Sequence, residues 1–408
     1  MLARRLLDAG LVQPDPRRSD CAVEPVTIVI PVYDDAPRLR ACLDAVAARG
    51  PTIVVDDGSP DGATIAGIAE RFGARYVRHD ENRGAAAARN TGLALATTPI
   101  VAFLDSDCVP PAGFPGELLA HLDDPVVALV APRIVSSGRH AGRIAAYERC
   151  HSPLDMGPRP SLVRPYTWVW YVPSAAMVAR REALGPGFDE RLALGEDVDL
   201  VWRLHDAGWQ VRYEPRIRVG HDDRVEPAAW YRRRVAYNES VAPLVARHRE
   251  RVPALFVTPM PALGWAAALG GRWPALVALT AVRGVRLHRT VAGRLPGAPL
   301  WAARAGAQVT IREGRELARA LGGPWAPFAL LAAYLWRRHD LARRLGALIA
   351  AGLVADWIED RPALDPLSYA ALRIADESAR GAGMWLACVR ARDFRALGPR
   401  RPPPPDRR

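Results

Sequence analysis

The chain contains no lysine; all 55 of its basic residues are arginine. That excludes a G-x-x-x-x-G-K-[ST] phosphate loop, whose lysine reaches the phosphates. No G-x-G-x-x-G follows the first apolar strand, which argues against a dinucleotide site. Cys21, Cys42, Cys108, Cys150 and Cys388 are scattered, odd in number and form no C-x-x-C pair. They fit reduced thiols in a cytoplasmic protein rather than a disulfide framework. Zinc-finger spacing and RNA-binding aromatic motifs are absent too, so nucleic acid is not expected as a partner. Residues 1–10 carry Arg4, Arg5 and Asp8 around no apolar centre, so no secretory signal is expected. Residues 6–11 read as the last turns of a helix stopped by Gly10, the end of a longer N-terminal element. Long apolar runs are scarce. Residues 253–271 carry no charge but contain Pro259 and Pro261, marginal against the roughly 20 apolar residues of a span. Residues 325–336 and 345–357 are apolar but shorter still.

What is present divides the chain in two. At 408 residues, half of them hydrophobic, it holds more than one core. Residues 1–222 have 25 Arg against 29 acidic residues, net −4; residues 223–408 have 30 against 15, net +15. The arginine usage itself reads as a GC-rich coding sequence; the asymmetry is the signal. A basic C-terminal half suits an anionic surface, and with nucleic acid disfavoured that surface is membrane lipid. Arg337, Arg338, Arg343 and Arg344 flank the short apolar runs. These segments therefore read either as helices lying on a membrane surface or as helices packing on each other. The expected organisation is a segment and linker over 1–24, a catalytic domain over 25–225, a helical basic region over 226–399 and a disordered Pro/Arg tail over 400–408.

Within 25–225 the elements alternate. Val26 to Ile30 is a continuous apolar run, as in a buried parallel strand. A helix follows from Pro37, with Leu39, Cys42, Leu43 and Val46 on one face. Thr52 to Val55 is the next strand, then a helix over 62–72, a short strand at Arg75-Tyr76-Val77 and an Ala-rich helix through Arg89-Asn90. Ile100 to Leu104 is the fourth strand. This β-α-β-α-β-α-β order is that of a doubly wound α/β sheet, in which ligands sit beyond the carboxyl ends of the strands. Beyond it, a helix is expected near 114–122, a strand over 126–130 and loops over 136–165. Further expectations are a strand over 175–178, a helix from Val198 to Leu204, two short strands at 211–213 and 217–219, and one long helix over 227–250.

The chemistry-bearing residues fall at those strand ends. Asp105 and Asp107 close the fourth strand two residues apart, and in an extended chain such residues point to the same side. Two hard oxygen ligands with positions left over suit a Mg²⁺ or Mn²⁺ that also holds phosphate oxygens. After the second strand, Asp56-Asp57-Gly58-Ser59 puts a carboxylate pair at a glycine turn, where one carboxylate can accept the N–H of a pyrimidine base. Arg83 and Arg89 can neutralise phosphate or brace the base. Glu196-Asp197 opens a helix, where negative charge is favoured; simple helix capping explains the pair as well, and both can hold at once. Trp168, Trp170 and Tyr171 can stack on an acceptor or fill a core.

Ile30-Pro31-Val32-Tyr33, Val55-Asp56-Asp57-Gly58-Ser59, Arg83-Gly84 with Ala88-Arg89-Asn90, Leu104-Asp105-Ser106-Asp107 and Gly195-Glu196-Asp197 occur in order. Together they resemble the family-2 inverting glycosyltransferases of the GT-A fold, over about residues 25–225. The stretch from Tyr171 to Ala175, with Arg180-Arg181 and Gly195 to Leu204, resembles more narrowly the glycosyltransferases of mycofactocin systems. The resemblance implies a Rossmann-like mixed sheet and a nucleotide-diphospho-sugar site. Asp57 would bind uracil, with Pro31, Tyr33 and Arg89 lining the nucleotide. Asp105 would face the ribose or the metal, Asp107 would hold a Mn²⁺ or Mg²⁺ on the diphosphate, and His221 would be a further metal or phosphate contact or a core histidine. Asp197 would be the general base, ionised by default at its reference pKa near 3.9, with Glu196 beside it.

The resemblance also implies a UDP-sugar donor, UDP-glucose, and a β-linked product. The acceptor would be the peptide-derived cofactor mycofactocin or its precursor, and the location cytoplasmic, with a peripheral position at the inner membrane face as the lipid-contacting variant. Two alternatives stand beside this: a family-2 transferase acting on a polyprenyl phosphate or cell-wall glycan, and an inactive nucleotide-sugar-binding scaffold. The Gln-x-x-Arg-Trp motif of processive cellulose and hyaluronan synthases is absent, against their kind of chain translocation.

Overall fold

Apolar runs become the central strands of a mixed sheet. Val26–Val32 (β1) is buried at every position and pairs in parallel with Thr52–Asp56 (β2) and Ile100–Leu104 (β4). Arg75–Arg78 (β3) extends the parallel set beyond β2. Antiparallel Ala176–Arg180 (β8) then continues the sheet from β4. The order is β3-β2-β1-β4-β8-β6-β9-β5, with Cys108–Val109 (β5), Val127–Ser136 (β6) and Gln210–His221 (β9), and with Ser161–Val163 (β7) pairing β9 off this path. Helices Ala36–Val46 (α1), Gly62–Arg71 (α2) and Ala85–Leu95 (α3) connect the parallel strands. Leu39, Leu43, Val46, Ile65 and Ile68 pack on Ile28, Ile30 and Val54 in one core. Such burial, about 25 cal/mol per Å² of apolar surface, is what holds the strand ends in register.

This computed structural model describes residues 4–401 except 5, 8–9, 11, 16–24, 47, 249–250, 252–253, 293–296 and 337–339. Most of the expected linker and tail lies outside the described residues. The chain divides into two compact units, Met1–Val225 and Glu226–Arg408.

Three expectations about elements change in the first unit. The short helix after Phe114 is Gly116–Leu119 (α4) continued by a 3₁₀ turn to Asp123. The region expected to be loops holds helix Arg143–His151 (α5), which buries Ala145, Ala146 and Tyr147. The two short strands before His221 are one strand, β9. Its pairing with β6 slips between Pro132↔Glu214 and Arg133↔Arg218, because Pro215 has no N–H to give the ladder and is carried in the irregularity.

The second unit is helical: Pro227–Glu239 (α7), Val241–His248 (α8), Pro259–Leu269 (α9), Trp273–Val291 (α10), Ala298–Gly322 (α11), Ala326–Leu335 (α12), Leu341–Asp360 (α13) and Pro366–Ala391 (α14). One short parallel pair, Leu255–Phe256 with Pro399–Arg400, ties its ends. The long helix expected over 227–250 is two helices meeting at Ser240, since Pro243 cannot donate to residue 239 and its ring crowds that carbonyl. Helix α14 lies close against α7 at Gly383, where a Cβ would sit 2.3 Å from the Val235 carbonyl oxygen. Buried Asp356 is paired with Arg315 and Arg319, which offsets the cost of burying its charge. Among the described residues no helix is long and apolar enough to cross a membrane.

Candidate active site

Both carboxylates of the Asp56-Asp57 pair are buried and committed inside the protein. Asp56 accepts from Ser59 N (2.8 Å), Tyr76 OH (2.7 Å) and Arg78 Nη1 (2.6 Å). Burial pushes its pKa up, but the hydrogen bonds from Ser59, Tyr76 and Arg78 outweigh it, and the net shift is downward. Asp57 receives backbone N–H groups on both oxygens, from Arg83 at 2.9 Å and Gly84 at 2.7 Å, and His79 Nδ1 at 2.7 Å. These bonds draw the 81–84 turn onto the end of β2 and so aim helix α3. Gly58 makes room: its φ is +77°, and a Cβ there would stand 2.6 Å from the Glu81 carbonyl carbon.

Helix α3 delivers Arg89 to the centre of the site. The side chain is buried, yet it donates from Nη2 to Asp105 Oδ1 at 2.6 Å and from Nη1 to Glu196 Oε1 at 2.9 Å. Its guanidinium also lies 5.5 Å from the Phe188 ring centre. Burial lowers the arginine's pKa, but Asp105, Glu196 and Asp197 together carry it upward, so it stays charged. The expectation that Arg89 lines the nucleotide therefore changes: both terminal nitrogens are spent on carboxylates. Pro31 likewise is buried within β1 opposite Val55. Tyr33, just beyond the end of β1, is the residue of that motif that is exposed, at 49%. Exposed Arg83 donates to Glu190 at 2.9 Å.

The start of helix Glu196–Asp206 (α6) faces the same cluster. Glu196 Oε1 accepts from Ser174 Oγ at 3.1 Å as well as from Arg89, and is buried. Asp197 accepts from Ser174 N (3.2 Å) and Val198 N (2.8 Å). Gly195, at φ +84°, turns the chain into the helix. Burial, with the charge of Glu196 added, pushes the Asp197 carboxyl up to about 7. This corrects the expectation that it is ionised by default. The segment holding Ser174 also anchors the end of β4, since Asp105 N donates to Ala175 O at 2.9 Å.

Asp107 and His221 meet because β5 pairs with the end of β9 in the register Cys108↔His221. His221 Nε2 lies 3.4 Å from Asp107 Oδ2, and its Nδ1 lies 3.1 Å from Asp223 Oδ1. Burial lowers its pKa, but the two carboxylates raise it to about 10, so the histidine carries a proton between them. Among the described residues no three acidic, histidine or cysteine side chains converge into a closed metal cage. Asp107 and a histidine backed by a carboxylate nonetheless fit a divalent ion, which would take the place of the Nε2 proton and draw its remaining ligands from a diphosphate. Asp105, partly exposed and tied to Arg89, borders that position. Its pKa is raised by burial, with Arg89 opposing and Asp107 reinforcing.

The aromatic trio separates. Trp170 packs against Tyr171 and Trp202, and Tyr171 OH donates to Pro153 O. Trp168 is 72% exposed. Ser174, His79 and Asp223 were not singled out from sequence. Asp223 was legible, standing two residues from His221 on the same side of an extended chain; the other two are visible only once distant segments meet.

The sequence profile of Glycosyl transferase family 2 matches residues 27–185. The pre-mycofactocin glycosyltransferase of Mycobacterium tuberculosis is 41% identical over 430 aligned positions, spanning 98% of this chain and 86% of that protein. Glycosyltransferase AglE of Haloferax volcanii is 30% identical over 213 positions, 49% of this chain and 67% of its own. Among solved structures, the mannosyltransferase PcManGT of Pyrobaculum calidifontis in complex with GDP-Man and Mn²⁺ aligns with a TM-score of 0.45 at 21% identity, over 88% of this chain and 93% of that one. The mixed sheet with its carboxylate-bearing strand ends, followed by a helical unit, is the α/β GT-A architecture expected from sequence. With a relative this similar along nearly the whole length, the chain belongs to the family-2 glycosyltransferases and is itself a glycosyltransferase.

Proposed function

We propose that the enzyme moves glucose from UDP-glucose to a hydroxyl of the mycofactocin precursor, inverting the anomeric centre to give a β-linkage. The acceptor rests on the pre-mycofactocin relative, and a cytoplasmic location belongs to the same reading. The observation that carries the chemistry is Asp197. It sits at a helix start with its carboxyl raised to about 7, beside Glu196, which Arg89 joins to Asp105 at the end of β4.

In this mechanism Asp197 takes the proton of the acceptor hydroxyl as the nucleotide departs from the opposite face of the sugar. A base with a pKa near the working pH combines a useful deprotonated fraction with enough basicity. Glu196, already holding Arg89 and Ser174, positions the base and keeps its proton affinity high. Tyr33 offers a face to the nucleotide base, and the Asp57-held turn shapes the wall beside it. A Mn²⁺ or Mg²⁺ held by Asp107 and His221, bordered by Asp105, would supply charge neutralisation for the departing diphosphate. Trp168, exposed, would serve as a platform for the acceptor.

The test is UDP release by purified protein with UDP-glucose and Mn²⁺ or Mg²⁺, with and without the mycofactocin precursor. Precursor-dependent release, with hexose added to the precursor's mass, is the expected outcome. Nucleotide binding with no turnover of the precursor would move the acceptor to a polyprenyl phosphate or cell-wall glycan, the second reading, which the apolar and basic C-terminal unit favours.

A further inference from the structure

Helix α12 reverses the usual pattern of a surface helix. It runs Ala-Pro-Phe-Ala-Leu-Leu-Ala-Ala-Tyr-Leu, carries no charge, and buries none of its residues. Leu330 is 71% exposed and Leu335 58%, and Trp336 follows them into solvent. Helix α10 shows the same inversion. Trp273, Val277, Ala281 and Val285 recur every four residues along one face, and all four are exposed; Trp273 is 66% so. Leu300, Trp301 and Ile311 on α11 and Val354 and Ile358 on α13 are exposed as well. A groove of about 600 Å³ shares Val277, Val285 and Ile311 with this surface. Single exposed apolar residues are ordinary, but helices that turn whole apolar faces outward in one unit mark a contact surface.

Charge decides what covers it. Between Glu250 and Glu313 the sequence has eight arginines and no acidic residue. Arg286 and Arg289 continue the exposed face of α10 beyond Val285. Exposed tryptophans beside apolar side chains, with Arg286 and Arg289 at the margin of α10, have the composition of a headgroup–acyl boundary. A second copy of this chain would bring the same positive charge to the contact. No described helix spans a bilayer, so the contact is in the plane of the surface.

We propose that the outward faces of α10 and α12 seat the C-terminal unit on an anionic lipid bilayer, with the apolar side chains and tryptophans in the interface and the arginines on the headgroups. This does not depend on which sugar or acceptor the enzyme uses.

The test is sedimentation of the full chain with vesicles of phosphatidylcholine alone and with about one-third phosphatidylglycerol. Expected is partition to the anionic vesicles that weakens as salt is raised. Leu330→Asp combined with Leu335→Asp should reduce it about tenfold or more, with unchanged circular dichroism and melting temperature. Independently of any variant, lipids brominated on their acyl chains should quench the tryptophan fluorescence of the wild-type protein. No partition to anionic vesicles overturns the proposal, and so does partition without quenching. A dimer that forms in place of vesicle binding, and that the same substitutions dissociate, assigns the surface to a second copy and also overturns it.

Discussion

Replacing Asp197 with asparagine should abolish transfer and, at alkaline pH, stabilise the protein. Asp197 has its folded pKa raised from 3.8 to about 7. The folded state therefore binds more protons than the unfolded chain between those values, and stability falls as pH rises through the window. The full cost of ionising it in place is about 4 kcal/mol, at 1.36 kcal/mol per pKa unit. Solvent reaching this half-buried group makes that an upper bound. Asparagine cannot accept on both sides as the carboxylate does, so one hydrogen bond, from Ser174 N or Val198 N, is lost at about 1 kcal/mol. That loss does not vary with pH; the ionisation cost does. From pH 5 to pH 8 the wild type should lose roughly 2–3 kcal/mol relative to Asp197→Asn. For a unit of this size that is roughly 5–10 °C of divergence in melting temperature. The assay is calorimetric melting of both proteins at half-unit pH steps, with UDP affinity confirming an intact site. A difference in melting temperature that stays constant with pH would refute a raised Asp197 pKa, and retained transfer in the variant would remove it as the base.

Transfer by the wild type should rise with pH and level off above about 7 in kcat/KM, since the base must be deprotonated; a profile flat from pH 5 to 8 counts against this. Arg89→Met leaves Asp105 and Glu196 without their buried counter-charge and should cost about 3–5 kcal/mol, read as a lowered melting temperature. Gly58→Ala forces a side chain into φ +77° against the Glu81 backbone and should cost roughly 1–3 kcal/mol, with weakened UDP binding as the 81–84 turn loosens. His221→Gln should weaken UDP binding about tenfold or more in titration calorimetry with Mn²⁺ present. Without metal, its UDP affinity should match the wild type, and an equal loss there would remove His221 as a metal contact.

Local patterns carried much of the fold. The apolar runs at Val26 to Ile30 and Ile100 to Leu104 had the length and composition of buried strands, and the strand–helix alternation led to a sheet with ligands at its carboxyl ends. The placement of Asp56, Asp57, Asp105 and Asp107 at strand ends was legible for the same reason, but not through strand alternation, since Asp105 to Cys108 is a turn closed by Cys108 N donating to Asp105 O. Helix α5 was not legible: Arg143–His151 has a weak apolar stripe and becomes a helix through what it packs on. The continuity of β9 was hidden by Pro215, which reads as a strand break until a neighbouring strand absorbs the slip.

What each site residue does was decided by tertiary structure. Nothing local to Arg89 says that it joins Asp105, 16 residues on, to Glu196, 107 residues on, and nothing local to Asp57 says that three donors fold over it. Sequence placed Asp197 at a helix start, but its proton affinity depends on burial and on a neighbouring charge, which exist only in the folded chain. The meeting of His221 with Asp107 follows from one strand register. Residue types and spacing determine which groups are available at each strand end. Which of them are spent on one another, and which are left to act, depends on distances that long-range packing alone sets.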